Sequence, residues 1–241
     1  MRNLLLTCAL AVALGLGGVA AWAVVRVNPG IRGCVEAGGS GLLGVPVALD
    51  EADVSLFSLD GELRGLHVGN PEGFAAPLAL ELGSLRLELA PESFSGPLVV
   101  VRTLEIRDPV LTCERAVGGA SNLDALLSRA LEAARRERLA RDIRLREGRE
   151  PGGWQGLVVD RLVCEGATLA LGPGGGTVPL PALRLEALGR DRGPGGAAPA
   201  EIVAAVLDAL VRAADQAQAS AACIPPGAPS APAAPPAASG P

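Results

Sequence analysis

The side chains able to do covalent or proton-transfer chemistry are few and scattered. His67 is the only imidazole, Lys and Tyr are absent, and all 21 basic residues are Arg. General acid–base work would fall to carboxylates, and no His cluster exists to bind a transition metal. Asp50, Glu51 and Asp53 crowd together as an acid–base pair would require, but at an expected bend, where carboxylates are solvated anyway. His67 lies in strand-like text and reads as a surface or packing residue. Asn70 and Asp108 each precede a proline and read as turn formers. The run Gly172-Pro-Gly-Gly-Gly176 lacks the Lys-Ser/Thr ending of a phosphate-binding loop and reads as a flexible turn. No residue is assigned to catalysis, to a metal or to a cofactor. The expectation is a protein that is not an enzyme.

Composition narrows the partners. The net charge is −5 and aromatics make up only 2% of the chain, so the basic–aromatic surface of a nucleic-acid binder is missing. Nearly half the residues are apolar (49%), enough for a sizeable core. Cys34, Cys113, Cys164 and Cys223 lie beyond the N-terminal apolar run and allow three pairings in an oxidising compartment. Cys113 and Cys164 both sit in strand text, either as small buried hydrophobes or joined by a bridge.

Leu4 to Val25 carries no charge and is flanked by Arg2 and Arg26. At ~1.5 Å per residue it would cover roughly 33 Å, enough for a bilayer core of ~30 Å. It reads as a transmembrane signal-anchor over residues 1–26. The alternative is a secretory signal cleaved after Ala21-Trp22-Ala23. Both place the bulk of the chain across the membrane.

Past a linker at 27–43, period-two alternation from Val45 to Glu114 reads as successive strands of a mostly antiparallel sheet. Leu78, Leu80 and Leu82 are even-numbered whereas Leu85, Leu87 and Leu89 are odd, so a bulge or bend at Gly83-Ser84 must restore the face. Ser121-Asn-Leu-Asp124 fits a capping box and opens a helix over about 121–146, whose densely charged second half reads as a solvated face or a contact with anionic headgroups. Strand text resumes at Leu157 and ends at Leu188. After a second linker, residues 199–222 read as a C-terminal helix, and 223–241 as a disordered Pro/Ala tail.

Three segments share a strand-then-turn pattern: Leu66 to Pro71, Leu104 to Pro109 and Leu162 to Ala167. L-R-L-E runs follow at Leu85 and Leu183, the habit of a sheet grown by repetition. Gly65-Leu-His-Val-Gly-Asn-Pro-Glu-Gly-Phe74 with its following L-R-L-E-L resembles the opening repeat of AsmA-like proteins of the Gram-negative envelope. Leu104 to Leu111 and Ser121 to Leu127 resemble that family's next strand pair and its N-L-x-x-L-L helix. The resemblance covers about residues 1–215. It implies an inner-membrane anchor and a periplasmic sheet folded into a groove. It also implies a role in outer-membrane biogenesis or phospholipid handling, as for the larger members. Some eight strands at ~4.8 Å give a sheet only ~40 Å wide.

The fold expected is therefore a β-rich α+β protein. A transmembrane helix precedes a repetitive sheet domain (44–189) that forms a groove or half-barrel with two helices packed on it. Leu66, Val68, Leu85, Leu87, Leu104, Ile106, Leu162, Leu183 and Leu185 are the candidate lipid-facing residues, for a phospholipid or other acyl-chain lipid. The alternative is a membrane-tethered adaptor that pairs an open sheet edge with a larger envelope protein.

Overall fold

A computed structural model describes residues 30–55, 58–96, 98–116, 119–147, 156–172 and 175–222. The expected anchor (1–26) and the expected disordered tail (223–241) lie outside these residues, and the expected linker (27–43) is described from residue 30. The first described element is a helix, α1 (30–43), where a linker is expected. Its glycine-rich text is a poor helix former, and tertiary contacts hold it. Ser40 Oγ and Glu36 Oε1 accept from the Val47 and Leu49 amides at 2.9 and 3.0 Å, and Arg32 donates to Asp50 O. These groups lie on the free edge of the first strand, so α1 covers the edge that would otherwise recruit another strand.

Eight strands follow: β1 (Val47–Ser55), β2 (Asp60–Gly69), β3 (Leu78–Leu89), β4 (Leu98–Cys113), β5 (Gly156–Glu165), β6 (Thr168–Leu171), β7 (Thr177–Pro179) and β8 (Leu183–Leu188). Two further helices are α2 (Asn122–Arg146), between β4 and β5, and α3 (Pro199–Ala222) at the end. The class is α+β, with one open, mostly antiparallel sheet in the order β1-β2-β3-β4-β5-β8. β6 continues the line of β5 beside the far half of β4, and β7 pairs β6. The pairs of β4 with β5 and β6 are parallel because α2 carries the chain back between them.

Each long strand breaks its pairing ladder at one position, and these breaks are in register. Asp50, Gly65, Gly83, Asp108, Gly166 and Pro181 occupy one row across the sheet, bracketed by the pairs on either side. Gly65, Asp108 and Gly166 in this row have φ of 63°, 50° and 71°. A second row contains Leu59 and Ala187, at φ 62° and 55°, with a register shift at Glu88/Leu89 between them. The three non-glycine residues of positive φ among the described residues thus all lie on these two creases. At each crease the inward parity switches: Leu80 and Leu82 face in before Gly83, and Leu85 and Leu87 after it. The expected bend at Gly83-Ser84 is one point on a line that crosses the whole sheet.

The creases correct two expectations. Asp108 does not form a turn between strands; it lies within the 16-residue β4. Pro109 is tolerated in that central strand because it follows the crease, where the ladder is already irregular. The three expected repeat segments are not all equivalent. Leu104 and Leu162 pair directly, as do Ile106 and Cys164, and both segments end on the crease. The β2 counterpart is Glu62-Leu63-Arg64-Gly65, matching Glu105-Ile106-Arg107-Asp108, whereas Asn70-Pro71 ends its strand. The L-R-L-E runs are equivalent, with Leu85 opposite Ile106 and Leu183 opposite Cys164.

One face of the sheet carries the core, with Leu49, Leu111, Leu162 and Leu169 at no more than 1% exposure. α2 packs on β4, and α3 on β5, β7 and β8, while the two helices run antiparallel to each other. α2 opens with the expected capping box: Ser121 Oγ accepts from the Asp124 amide and Asp124 Oδ2 from the Ser121 amide. Asn122 is fully buried and satisfied. Its Oδ1 accepts from the Glu114 amide, and its Nδ2 donates to Thr112 O and to Asn70 Oδ1. The two motifs that carry the family resemblance therefore meet at a structural joint. α3 starts with Pro199 in its first turn and Glu201 accepting from the Ala198 amide at 2.9 Å.

Candidate functional site

Between the creases, the inward face consists of two apolar rows. One runs Ala52, Leu63, Leu85, Ile106, Cys164, Leu183; the other runs Val54, Gly61, Leu87, Leu104, Leu162, Leu185. Seven of the nine sequence-derived lipid-facing residues lie in these rows. Leu66 and Val68 lie on the same face beyond the first crease, paired with Leu49 and Val47. The nine residues do share one face.

They do not share one environment. Val68 (3%), Ile106 (4%) and Leu162 (1%) are sealed in the core. Leu66, Leu85, Leu87, Leu104, Leu183 and Leu185 are half-buried and pack against that core. Between the creases Leu63, Ile106, Leu162 and Cys164 are buried, while Leu85, Leu87, Leu104, Leu183 and Leu185 are half-buried. The bare position at Gly61 leaves no gap, because a Cβ there would lie 2.9 Å from Val54 Cγ2 and 3.5 Å from Leu87 Cδ1. Three of the nine are core residues in this conformation, and six form its rim.

An apolar cleft opens at the margin of this face. It lies between the last turns of α3 and β7, is lined by Val178, Pro179, Pro181, Ala213 and Ala217 together with the polar Gln216 and Ser220, and holds about 390 Å³. Small-molecule sites span roughly 300–1,000 Å³. Val178 stands in the same inward row as Leu169, so the cleft continues the apolar face outwards. Sequence reasoning missed it, although the Ala213–Ala217 step on a helix opposite two prolines was a readable signal: small side chains face a strand that cannot pair further.

The opposite face is polar. Across β1 to β4 it presents Asp53, Glu62, Arg86 and Glu105 in one row, around an open basin of about 540 Å³. Arg64 and Arg86 hydrogen-bond Glu62 and hold its carboxyl below the ordinary range. His67 and Asp50 meet on this face at 3.3 Å, outside the apolar rows.

Cys113 and Cys164 are both buried and free. Cys164 pairs with Ile106, which lies seven positions before Cys113 along β4, or roughly 23 Å at ~3.3 Å per residue. A disulfide requires Cα atoms within ~7 Å, so the considered bridge is excluded in this fold. Burial pushes the Cys164 thiol up to about 11. Among the described residues no group of His, Cys, Asp or Glu is arranged to hold a metal ion, and no helix is long and apolar enough to cross a membrane.

An α+β fold with a creased sheet, one face of it partly covered by two helices, and an apolar cleft at its margin defines the molecule's class. Comparison with family models, curated proteins and solved structures returned no match.

Proposed function

We propose that this chain is a non-enzymatic, inner-membrane-anchored periplasmic protein of AsmA-like kind. It takes an acyl chain of a phospholipid or related lipid along the apolar side of its sheet, in outer-membrane biogenesis or phospholipid handling. The observation that carries this reading is the apolar α3–β7 cleft, whose Val178 and Ala217 pack against the same core as the half-buried leucines of the inward face. An acyl chain entering there would be desolvated at ~0.8 kcal/mol per CH₂. The groove or half-barrel is then the state in which α3 moves away from β7 and β8 and the rim leucines Leu183 and Leu185 are uncovered.

Native mass spectrometry of the detergent-extracted full chain, with lipid extraction, tests this. Wild type should carry acyl lipid. Ala217→Trp, which fills the cleft, should lose it with an unchanged melting temperature. Lipid-free wild type, or lipid retained in the filled variant, contradicts the reading. A second reading, the adaptor, is favoured by β8, which pairs only β5 among the described strands. It predicts a co-purified envelope protein that is lost on Leu185→Pro while lipid content stays at background.

A further inference from the structure

No described side chain in the second half of α2 is buried. Residues 135–140 are all exposed, and the helix is tied down there chiefly by Arg138 to Glu201 and by Arg141 to the Gly195 and Gly196 carbonyls. Yet this stretch carries Leu139 at 62% exposure and Ile143 at 46%, with Leu131 at 43% one turn before. These are three of the five large hydrophobics exposed among the described residues. At 100° per residue they fall in one outward sector together with Arg135, Arg136 and Arg146. None of these three arginines has a carboxylate within ion-pair distance among the described residues, although Glu132 and Asp142 share the sector. α2 as a whole has seven arginines against four carboxylates, in a chain of net charge −5.

We propose that this outer side of α2 docks on an anionic bilayer surface, with Leu139 and Ile143 inserted at headgroup depth and the arginines on lipid phosphates. Two observations select a bilayer over a second copy of the chain. Three leucine-sized side chains supply far less than the ~1,200 Å² of a stable interface, and an isologous pairing would set the same unpaired arginines against each other. The direction of the chain agrees. α1 runs back along β1, from Arg32 beside Asp50 to Ser40 beside Val47. α2 runs from Asn122 beside Thr112 to Arg141 at Gly195, next to the Leu157 end of β5. The start of α1, where the N-terminal apolar run joins, and the end of α2 therefore point the same way along the sheet. The inference rests on the anchored reading for bringing the domain near a membrane, but not on lipid uptake in the cleft.

The test is amide hydrogen exchange of residues 135–146 in the full chain, reconstituted into phosphatidylcholine vesicles with and without phosphatidylglycerol. Exchange should slow at least tenfold only with phosphatidylglycerol. Arg135→Gln with Arg136→Gln should remove that protection, two arginines being worth roughly thirtyfold in the docked-to-free ratio, with the melting temperature unchanged. Equal exchange in both vesicles, or protection that survives the double variant, overturns the proposal. Protection that grows with protein concentration without vesicles makes a second copy the occupant and overturns it too. Flotation with phosphatidylcholine vesicles reports the anchor separately, and a chain that floats with neither vesicle contradicts both anchor and docking. Lipid bound in the cleft is read by neither measurement.

Discussion

Gly166→Ala should cost about 2–3 kcal/mol, and part of that cost should disappear when Asp108 is also changed. Gly166 has φ 71°, and a Cβ there would collide with Asp108 Oδ1 on the neighbouring strand. An L-residue held in the left-handed region costs roughly 1–2 kcal/mol. Pushing the exposed Asp108 side chain off its rotamer adds about 0.5–1.5 kcal/mol. In an Asp108→Gly background only the backbone cost remains, so Gly166→Ala should then cost about 1–2 kcal/mol. Gly176→Ala is the control, since it has neither a positive φ nor a neighbour within 4 Å of its Cβ position. The assay is urea unfolding of all five proteins in the same mild detergent. A Gly166→Ala cost below about 0.5 kcal/mol, or one unaffected by Asp108→Gly, would refute the account of the crease as an in-register line of strained residues.

Leu162→Ala should cost ~2–5 kcal/mol, whereas Arg86→Ala and Glu105→Ala on the polar face should each cost less than about 1 kcal/mol; equal effects in urea unfolding would overturn the facing of the strands. For Glu201, burial alone would raise the pKa, but the Ala198 amide and Arg138 outweigh it and hold the carboxyl below its ordinary 4.5. Its stabilising contribution is therefore present above that value and is lost as pH falls through the lower folded one. Between pH 7 and strongly acidic pH, wild type should lose its stability advantage over Glu201→Gln, as read by melting temperature against pH. A thiol reagent at pH 8 should label exposed Cys34 in the native protein and reach Cys113 and Cys164 only after unfolding, as followed by peptide mapping.

Much of the strand content and the start of α2 were legible because local chemistry decides them. Ser121 and Asp124 cap each other across three residues, and alternation alone set the inward face of Leu78–Leu82. The creases were legible only in part. A parity switch could be read at Gly83, but its continuation through Asp50, Gly65, Asp108 and Gly166 depends on pairing between strands far apart in sequence. That dependence also explains the misplaced first repeat. Asn70-Pro71 looks like Asp108-Pro109 as turn chemistry, yet one ends a strand and the other bends one. α1 was illegible because its stability comes from β1, through Glu36 and Ser40, and not from its own glycine-rich text. The division of the candidate residues into sealed and half-buried sets depends on what packs over each position in three dimensions, which no strand pattern encodes.

An acyl chain proposed to lie against the inward face through the α3–β7 cleft would bring a crosslinker carried on the lipid within reach of the cleft walls. Photo-crosslinking tests this placement most directly, with a phospholipid bearing a diazirine on its acyl chain and peptide mapping of the labelled full chain. The account predicts labels on Val178 to Leu185 and on Ala213 to Ser220, abolished by Ala217→Trp. Labels confined to residues 4–25 would contradict it, because they would report only lipid surrounding an anchor.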